Sequence, residues 1–286
     1  MSPLLGVQTT PRPMSEAERL LISGFIEREF GIKMPPSKKP LLEGRLAKRL
    51  AACGIATYEK YFRFVTEDLG GRDEFLNFAD LVSTHETSFF REARHYEFLA
   101  DEVLPTFARR PGFGSLHVLS AACSTGEEAY TLAMVAAAFL ESIGRPEIDL
   151  QVEGFDLSDR AVAMATRGVY STERTKTISP DLLRRYVMAS KDPRKGLCRI
   201  VPELRRRTRF HTGNLLGDLG LGTRTFDVVF CRNVLIYFDR PTQHKVVSTL
   251  LSRLKPGGML FLGHSESLAS MDLPVRAITH AVFEKL

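Results

Sequence analysis

Apolar positions change their spacing several times along the chain, and each change marks an element. Ser15 and Glu18 make the S-x-x-E capping pattern, and Leu20, Leu21, Phe25, Ile26 and Phe30 follow as one helical face. After the Pro35, Pro36 and Pro40 break, Leu42, Leu46 and Leu50 recur every four residues, with Arg45, Lys48 and Arg49 on a neighbouring face. Two more helical patterns, near Tyr58 to Val65 and Glu74 to Val82, complete a small helical domain over 14–83. The segment 84–110 begins with polar turn formers and reads as a linker helix that Pro105 stops.

From 111 to the end the pattern alternates between short apolar runs and helices. Leu116 to Leu119 suits a buried strand, the small residues Ala121, Ala122, Ser124 and Gly126 a tight loop, and the stretch from Glu127 a helix. Leu150 to Gly154, Phe226 to Cys231, Met259 to Leu262 and Val282 to Leu286 read as further strands, with helices from Arg160 and Pro241. Strand-like Leu197 to Val201 and Thr208 to His211, after a polar stretch, predict a small β insertion over about 190–212. With no G-x-G-x-x-G run, the expectation is an α/β, Rossmann-like methyltransferase sheet preceded by an all-helical domain.

Open α/β sheets hold ligands at the carboxyl ends of their strands, so the chemistry is sought there. Glu127 and Glu128 suit a helix N-terminus but repel a pyrophosphate, which disfavours a dinucleotide and favours a cationic ligand such as S-adenosylmethionine. Asp156, at the end of the second strand, suits both hydroxyls of a ribose, and this reading is preferred to a helix cap because Ser158 or Asp159 can cap instead.

Composition changes this picture little. Hydrophobic residues make up 44% and charged residues 26%, as in ordinary globular chains. No apolar run of about 18 residues and no secretion signal stand out, so the expected location is the cytoplasm. The four cysteines, Cys53, Cys123, Cys198 and Cys231, lack metal-ligand spacing, so no metal site or disulfide framework is expected. Cys123 and Cys231, both at strand ends beside the same pocket, are expected near one another. A net charge of +5 suits acidic partners of several kinds.

Four runs carry a resemblance. T-H-E-T-S-F-F-R-E at Thr84 to Glu92, S-A-A-C-S-T-G-E-E at Ser120 to Glu128, F-D-V-V-F-C-R-N-V-L-I-Y-F-D at Phe226 to Asp239 and G-H-S-E at Gly263 to Glu266 occur in the order found in the CheR family, which the sequence resembles over nearly its whole length. These chemotaxis receptor methyltransferases transfer a methyl group from S-adenosylmethionine to receptor glutamates, leaving S-adenosylhomocysteine. The resemblance implies that Thr87, Arg91, Glu128, Asp156, Asn214, Leu215, Cys231 and Arg232 surround the cofactor, with Arg91 and Tyr237 nearest the transferred methyl group. His85 stands where many members have Asn, and it is carried as a cofactor candidate or a capping residue. Arg45, Lys48 and Arg49 are the candidates for binding the acidic cytoplasmic helices of a receptor. Membrane contact is expected only through receptors, nucleic acid is not an expected partner, and a monomer is expected. The competing readings are methylation of another acidic protein and a non-catalytic S-adenosylmethionine sensor.

Overall fold

Ser15 starts the first helix as its sequence predicts. In the computed structural model, which describes residues 12–68, 71–83, 86–269 and 271–286, the Ser15 hydroxyl accepts from the Glu18 N–H and the Glu18 carboxylate accepts from the Ser15 N–H. Helix α1 (Glu16–Phe30) ends at Gly31, whose φ of 70° is the left-handed turn that glycine adopts without strain. Helices α2 (Lys39–Cys53), α3 (Tyr58–Glu67) and α4 (Arg72–Val82) follow. Ile22, Ile26, Leu42, Leu46, Leu50, Tyr61 and Phe78 are buried among them, and Phe25 meets Phe62, Phe75 and Phe78 edge-on. The buried stripe of α1 is Ile22, Ile26 and Phe30, whereas Leu20 and Leu21, expected on that face, are exposed.

Glu18 also binds Arg12 through both oxygens and takes the Glu59 N–H at 3.1 Å. Burial pushes its pKa up, but the Ser15, Arg12 and Glu59 donors together outweigh burial and bring it down to about 2. A folded pKa below the unfolded one contributes stability that is fully present above about pH 5. That contribution is lost as pH falls toward 2. Glu18→Gln is expected to destabilise the helical unit by about 1.5 to 3 kcal/mol at neutral pH. In denaturant melts the gap to the parent should close as the solution is acidified, and a gap that ignores pH would refute this account.

The chain divides into two compact units between positions 84 and 85. The segment expected to be a linker is part of the second unit. Phe89, Tyr96, Leu99, Val103, Leu104 and Phe107 are buried in its main core. Pro105 does not end the helix there. After α5 (Arg94–Phe98) the backbone widens to a π turn over Leu99–Val103 and continues as α6 (Leu104–Ala108), so Pro105 follows directly on the widened turn, the kind of irregularity that accommodates a residue lacking an N–H.

The α/β core then runs β1 (Ser115–Ala121), α7 (Glu127–Ser142), β2 (Asp149–Asp156), α8 (Asp159–Arg167), β3 (Val169–Ser171), α9 (Pro180–Tyr186), β4 (Val187–Ala189), β5 (Leu197–Ile200), α10 (Pro202–Arg207), β6 (Thr208–Thr212), β7 (Phe226–Cys231), α11 (Arg240–Arg253), β8 (Leu254–Leu262), β9 (Val275–Thr279) and β10 (Val282–Lys285). The main sheet has the order β6-β2-β1-β7-β8-β10-β9. Its first five strands are parallel, and β10 is antiparallel to both β8 and β9. Together with the helical unit before it, this is the expected Rossmann-like methyltransferase architecture. Because β2 and β7 flank β1 on opposite sides, the connections diverge at the carboxyl end of β1 and leave a crevice there.

The insertion differs from its expected place. The small antiparallel sheet is β3-β5-β4, while Thr208–Thr212 pairs with β2 in the main sheet, Val152 opposite Thr208. Local alternation is the same for a strand in either sheet, and only the long-range partner distinguishes them. Strand β8 also starts earlier than Met259, passing through Gly257 at φ 67°. Among the described residues no helix is long and apolar enough to cross a membrane.

Candidate active site

The loop after β1 is shaped by backbone, as its small residues predict. Ala122, Ser124 and Gly126 have φ of 58°, 50° and 94°. A Cβ at Gly126 would lie 2.7 Å from the Ala165 Cβ, so close packing of the loop on α8 requires glycine. Asp156 fixes the other wall: one carboxylate oxygen accepts from the Ser124 N–H at 2.8 Å and the other from the Ser158 N–H at 3.0 Å. The cap of α8 is Ser158, whose hydroxyl accepts from the Ala161 N–H, and not Asp156. The Ser124 hydroxyl is buried and has no hydrogen-bond partner among the described residues.

The two glutamates at the start of α7 have separate partners. Glu127 is fully buried, accepts from the Thr125 hydroxyl at 2.6 Å and lies 2.6 Å from an Arg174 guanidinium nitrogen. Glu128 accepts from the Ser120 hydroxyl at 2.8 Å and from Arg232 at 3.2 Å. Burial pushes both carboxyls above the usual range, and the guanidiniums oppose that shift. The repulsion of a pyrophosphate expected from the sequence is therefore largely cancelled by two arginines that come from distant parts of the chain.

Arg232 is the centre of the polar network. Its side chain is 1% exposed and donates to the Tyr96 hydroxyl at 3.0 Å, Glu128 at 3.2 Å, Glu92 at 3.0 Å and the Arg91 carbonyl at 2.5 Å. It thereby ties the end of β7 to the 87–92 segment and to the start of α7. That segment is bent: Phe90 and Glu92 both lie in the left-handed region, at φ of 54° and 56°. Glu92 also accepts from the Asn233 amide at 3.0 Å. Burial pushes the Glu92 carboxyl up, but Asn233 and Arg232 outweigh it and hold the group below its usual value.

Of the residues singled out in the sequence, Arg91, Glu128 and Arg232 are brought together by this network. Arg91 is half-buried and donates to the Glu86 carbonyl, and the Thr87 carbonyl accepts from Arg174. Asn214 follows β6, whose Thr212 pairs with Asp156, and its side-chain oxygen accepts from the Leu216 N–H. Leu215 and Cys231 are buried in the apolar layer with Phe155 and Val229. The four cysteines are free thiols, and burial raises the pKa of Cys123 and of Cys231. Tyr237 is half-buried in the short helical turn Leu235–Tyr237. His85 lies outside the described residues.

The three basic residues of α2 belong to the other unit, and two are engaged inside it. Arg45 donates to the Leu81 and Ser83 carbonyls, and Arg49 forms a two-pronged pair with Glu74, which also takes the Tyr61 hydroxyl. Lys48 is exposed. Glu92, Ser124, Arg174 and Asn233 were not singled out from the sequence. Glu92, Ser124 and Asn233 lie inside the quoted runs, but neither type nor spacing distinguished them from their neighbours. Arg174 sits in a polar stretch with no such mark.

Glu92, His95 and His264 bring three potential ligand atoms within 4.8 Å of one another. His95 is pushed down to about 4 by burial and by the nearby Arg232 and His264. The oxygen of Glu92 that faces both histidines is the one that holds Arg232, so a guanidinium already supplies positive charge to it.

Comparison with known proteins shows the family. The family described as "CheR methyltransferase, SAM binding domain" matches residues 85–282, and "CheR methyltransferase, all-alpha domain" matches residues 18–83. The chain is 35% identical to the chemotaxis protein methyltransferase of Klebsiella aerogenes, over 91% of this chain and 86% of that one. It is 35% identical to that of Escherichia coli, over 93% of this chain and 90% of that one. To chemotaxis protein methyltransferase 2 of Pseudomonas aeruginosa it is 33% identical, over 90% and 88%.

Proposed function

Because the chain belongs to the CheR methyltransferase family and so uses S-adenosylmethionine, we propose that it methylates glutamate side chains in the cytoplasmic helical region of chemotaxis receptors, forming methyl esters. The observation that carries this reading is the convergence, beside the carboxyl ends of β1, β2 and β7, of Asp156, Glu128 and an Arg232 that holds the Arg91 segment. The crevice suits the cofactor: its loop is backbone, its Ser124 hydroxyl lacks a partner among the described residues, and it has a carboxylate on either side.

When bound, S-adenosylmethionine supplies an electrophilic methyl group on a sulfonium. In this reading Asp156 holds the ribose hydroxyls and Glu128 faces the amino end. Thr87, Asn214, Leu215, the Cys231 backbone and Arg232 line the remainder. His85 is retained as a candidate. A substrate carboxylate, with a pKa near about 4.3, is already ionised at neutral pH, so no side chain must remove a proton. The task of the protein is to align that oxygen with the methyl carbon, which can lower the barrier by roughly 7 to 11 kcal/mol. Arg91 and Tyr237 orient the carboxylate by a guanidinium contact and a hydroxyl hydrogen bond. A tight two-pronged pair would stabilise the ground state as much as the transition state, so the contact from Arg91 is partial. On α2, Lys48 presents an exposed positive charge to acidic receptor helices, and Arg45 and Arg49 add to the field while engaged internally.

The test is incubation of the protein with methyl-labelled cofactor and receptor-containing membranes. Label that leaves as methanol in alkali is the expected result, since an ester hydrolyses there. Cofactor binding without label transfer would favour the sensor reading. Tyr237→Phe is expected to slow turnover while leaving S-adenosylhomocysteine affinity by calorimetry unchanged. If both fall by the same factor, Tyr237 belongs to the cofactor instead.

A further inference from the structure

The Gly263 to Glu266 run follows β8 and ends in a carboxylate that is only 5% exposed. Its partners are backbone N–H groups. One oxygen accepts from Gly263 at 2.6 Å and Asn233 at 3.0 Å, and the other from Leu235 at 2.8 Å and Ile236 at 3.4 Å. Three of these four donors lie between Arg232 and Tyr237. The fourth fastens that segment to the end of β8.

The segment needs such an acceptor. Asn233 is in the left-handed region at φ 58° and Val234 is irregular, so the N–H groups of 233 to 236 are not taken up by a regular helix. Gly263 closes the clamp from the opposite side. A Cβ there would lie 2.7 Å from the Asn233 amide nitrogen, and 2.9 Å from both the Asn233 backbone nitrogen and a Glu266 oxygen.

We propose that Glu266 is a positioning residue for methyl transfer: by gathering these four N–H groups it sets the path of residues 233–236 and so the aim of Tyr237. The proposal rests on the reading that Tyr237 meets the substrate. Arg232 has partners outside this clamp, Glu128 and Tyr96, and meets it through Glu92, which accepts from both Arg232 and the Asn233 amide. Loosening the clamp therefore moves the substrate side of the loop, while Glu128 and Tyr96 still fasten Arg232 on the cofactor side. A merely structural carboxylate would change stability without separating turnover from cofactor affinity.

The test uses the full chain, with Glu266→Gln, Gly263→Ala and Tyr237→Phe side by side. Glutamine keeps the shape of the side chain but turns one acceptor into a donor facing N–H groups. Below the melting temperature, Glu266→Gln and Gly263→Ala should each lower kcat by about tenfold or more, with S-adenosylhomocysteine affinity within about threefold of the parent. The amide resonances of Leu235 and Gly263 should shift in Glu266→Gln. A parental kcat in a folded Glu266→Gln, or equal losses of kcat and affinity, would overturn the proposal. Should Glu266→Gln fail to fold, Gly263→Ala decides by the same criteria. Tyr237→Phe separates the two readings: parental turnover there, with a slow Glu266→Gln, overturns the aim at Tyr237 but not the clamp, and the reverse overturns the clamp.

Discussion

Arg232→Met is expected to destabilise the methyltransferase unit by about 3 to 5 kcal/mol, the scale for removing one partner of a buried ion pair. The guanidinium is 1% exposed, and its loss leaves Glu92 and Glu128, 16% and 14% exposed, without their shared counter-charge. The Tyr96 hydroxyl and the Arg91 carbonyl lose a donor as well. For a unit of this size the midpoint of thermal unfolding should fall by roughly 6 to 20 °C. The loss should depend on pH in a definite sense. Burial already raises the pKa of Glu128, and Arg232 opposes that rise, so the variant raises it further. A carboxyl whose folded pKa exceeds its unfolded value is favourable below that range and unfavourable above it, so the gap to the parent should narrow on acidification. A midpoint within a degree of the parent at neutral pH would show that the network is not holding the site together.

Asp156→Asn should weaken cofactor binding by about 1.5 to 3 kcal/mol, the scale of a hydrogen bond to a charged group, or roughly 10- to 150-fold in Kd. Asparagine is the informative replacement because it keeps the shape of the side chain. Its amide can still accept from one of the two N–H groups of Ser124 and Ser158 that the carboxylate now serves. The helix cap is unaffected, since Ser158 supplies it. Calorimetry with S-adenosylhomocysteine measures the change. Unaltered affinity in a folded variant would reduce Asp156 to a latch between the β1 loop and the end of β2.

The elements were legible where local signals agreed with each other. The capping box at Ser15, the glycine exit at Gly31 and the strand-loop-helix pattern from Leu116 to Ser142 each follow from contacts within a few residues, which is the range over which sequence spacing speaks. The order of the quoted runs identified the family, and with it the cofactor. Other features depended on partners far away in sequence. Thr208–Thr212 joined the main sheet because its register partner is β2, and the 86–110 segment entered the core through Phe89, Tyr96 and Phe107. Pro105 marked a boundary by its missing N–H, yet a widened turn just before it accommodated the ring.

Charge was the property least readable from the chain alone. Glu127 and Glu128 looked like a paired negative site, and Arg45 and Arg49 like an open basic face. The fold gave Glu127 to Arg174, Glu128 to Arg232, Arg49 to Glu74 and Arg45 to two carbonyls. The sequence by itself determined which residues are ionisable, most of the longer helices and strands, and which family the chain resembles, because these follow from residue type and short-range spacing. Only the tertiary structure decided which charges are spent on one another and which remain for a ligand, because Coulomb energy and desolvation depend on distances between segments that are remote in the chain.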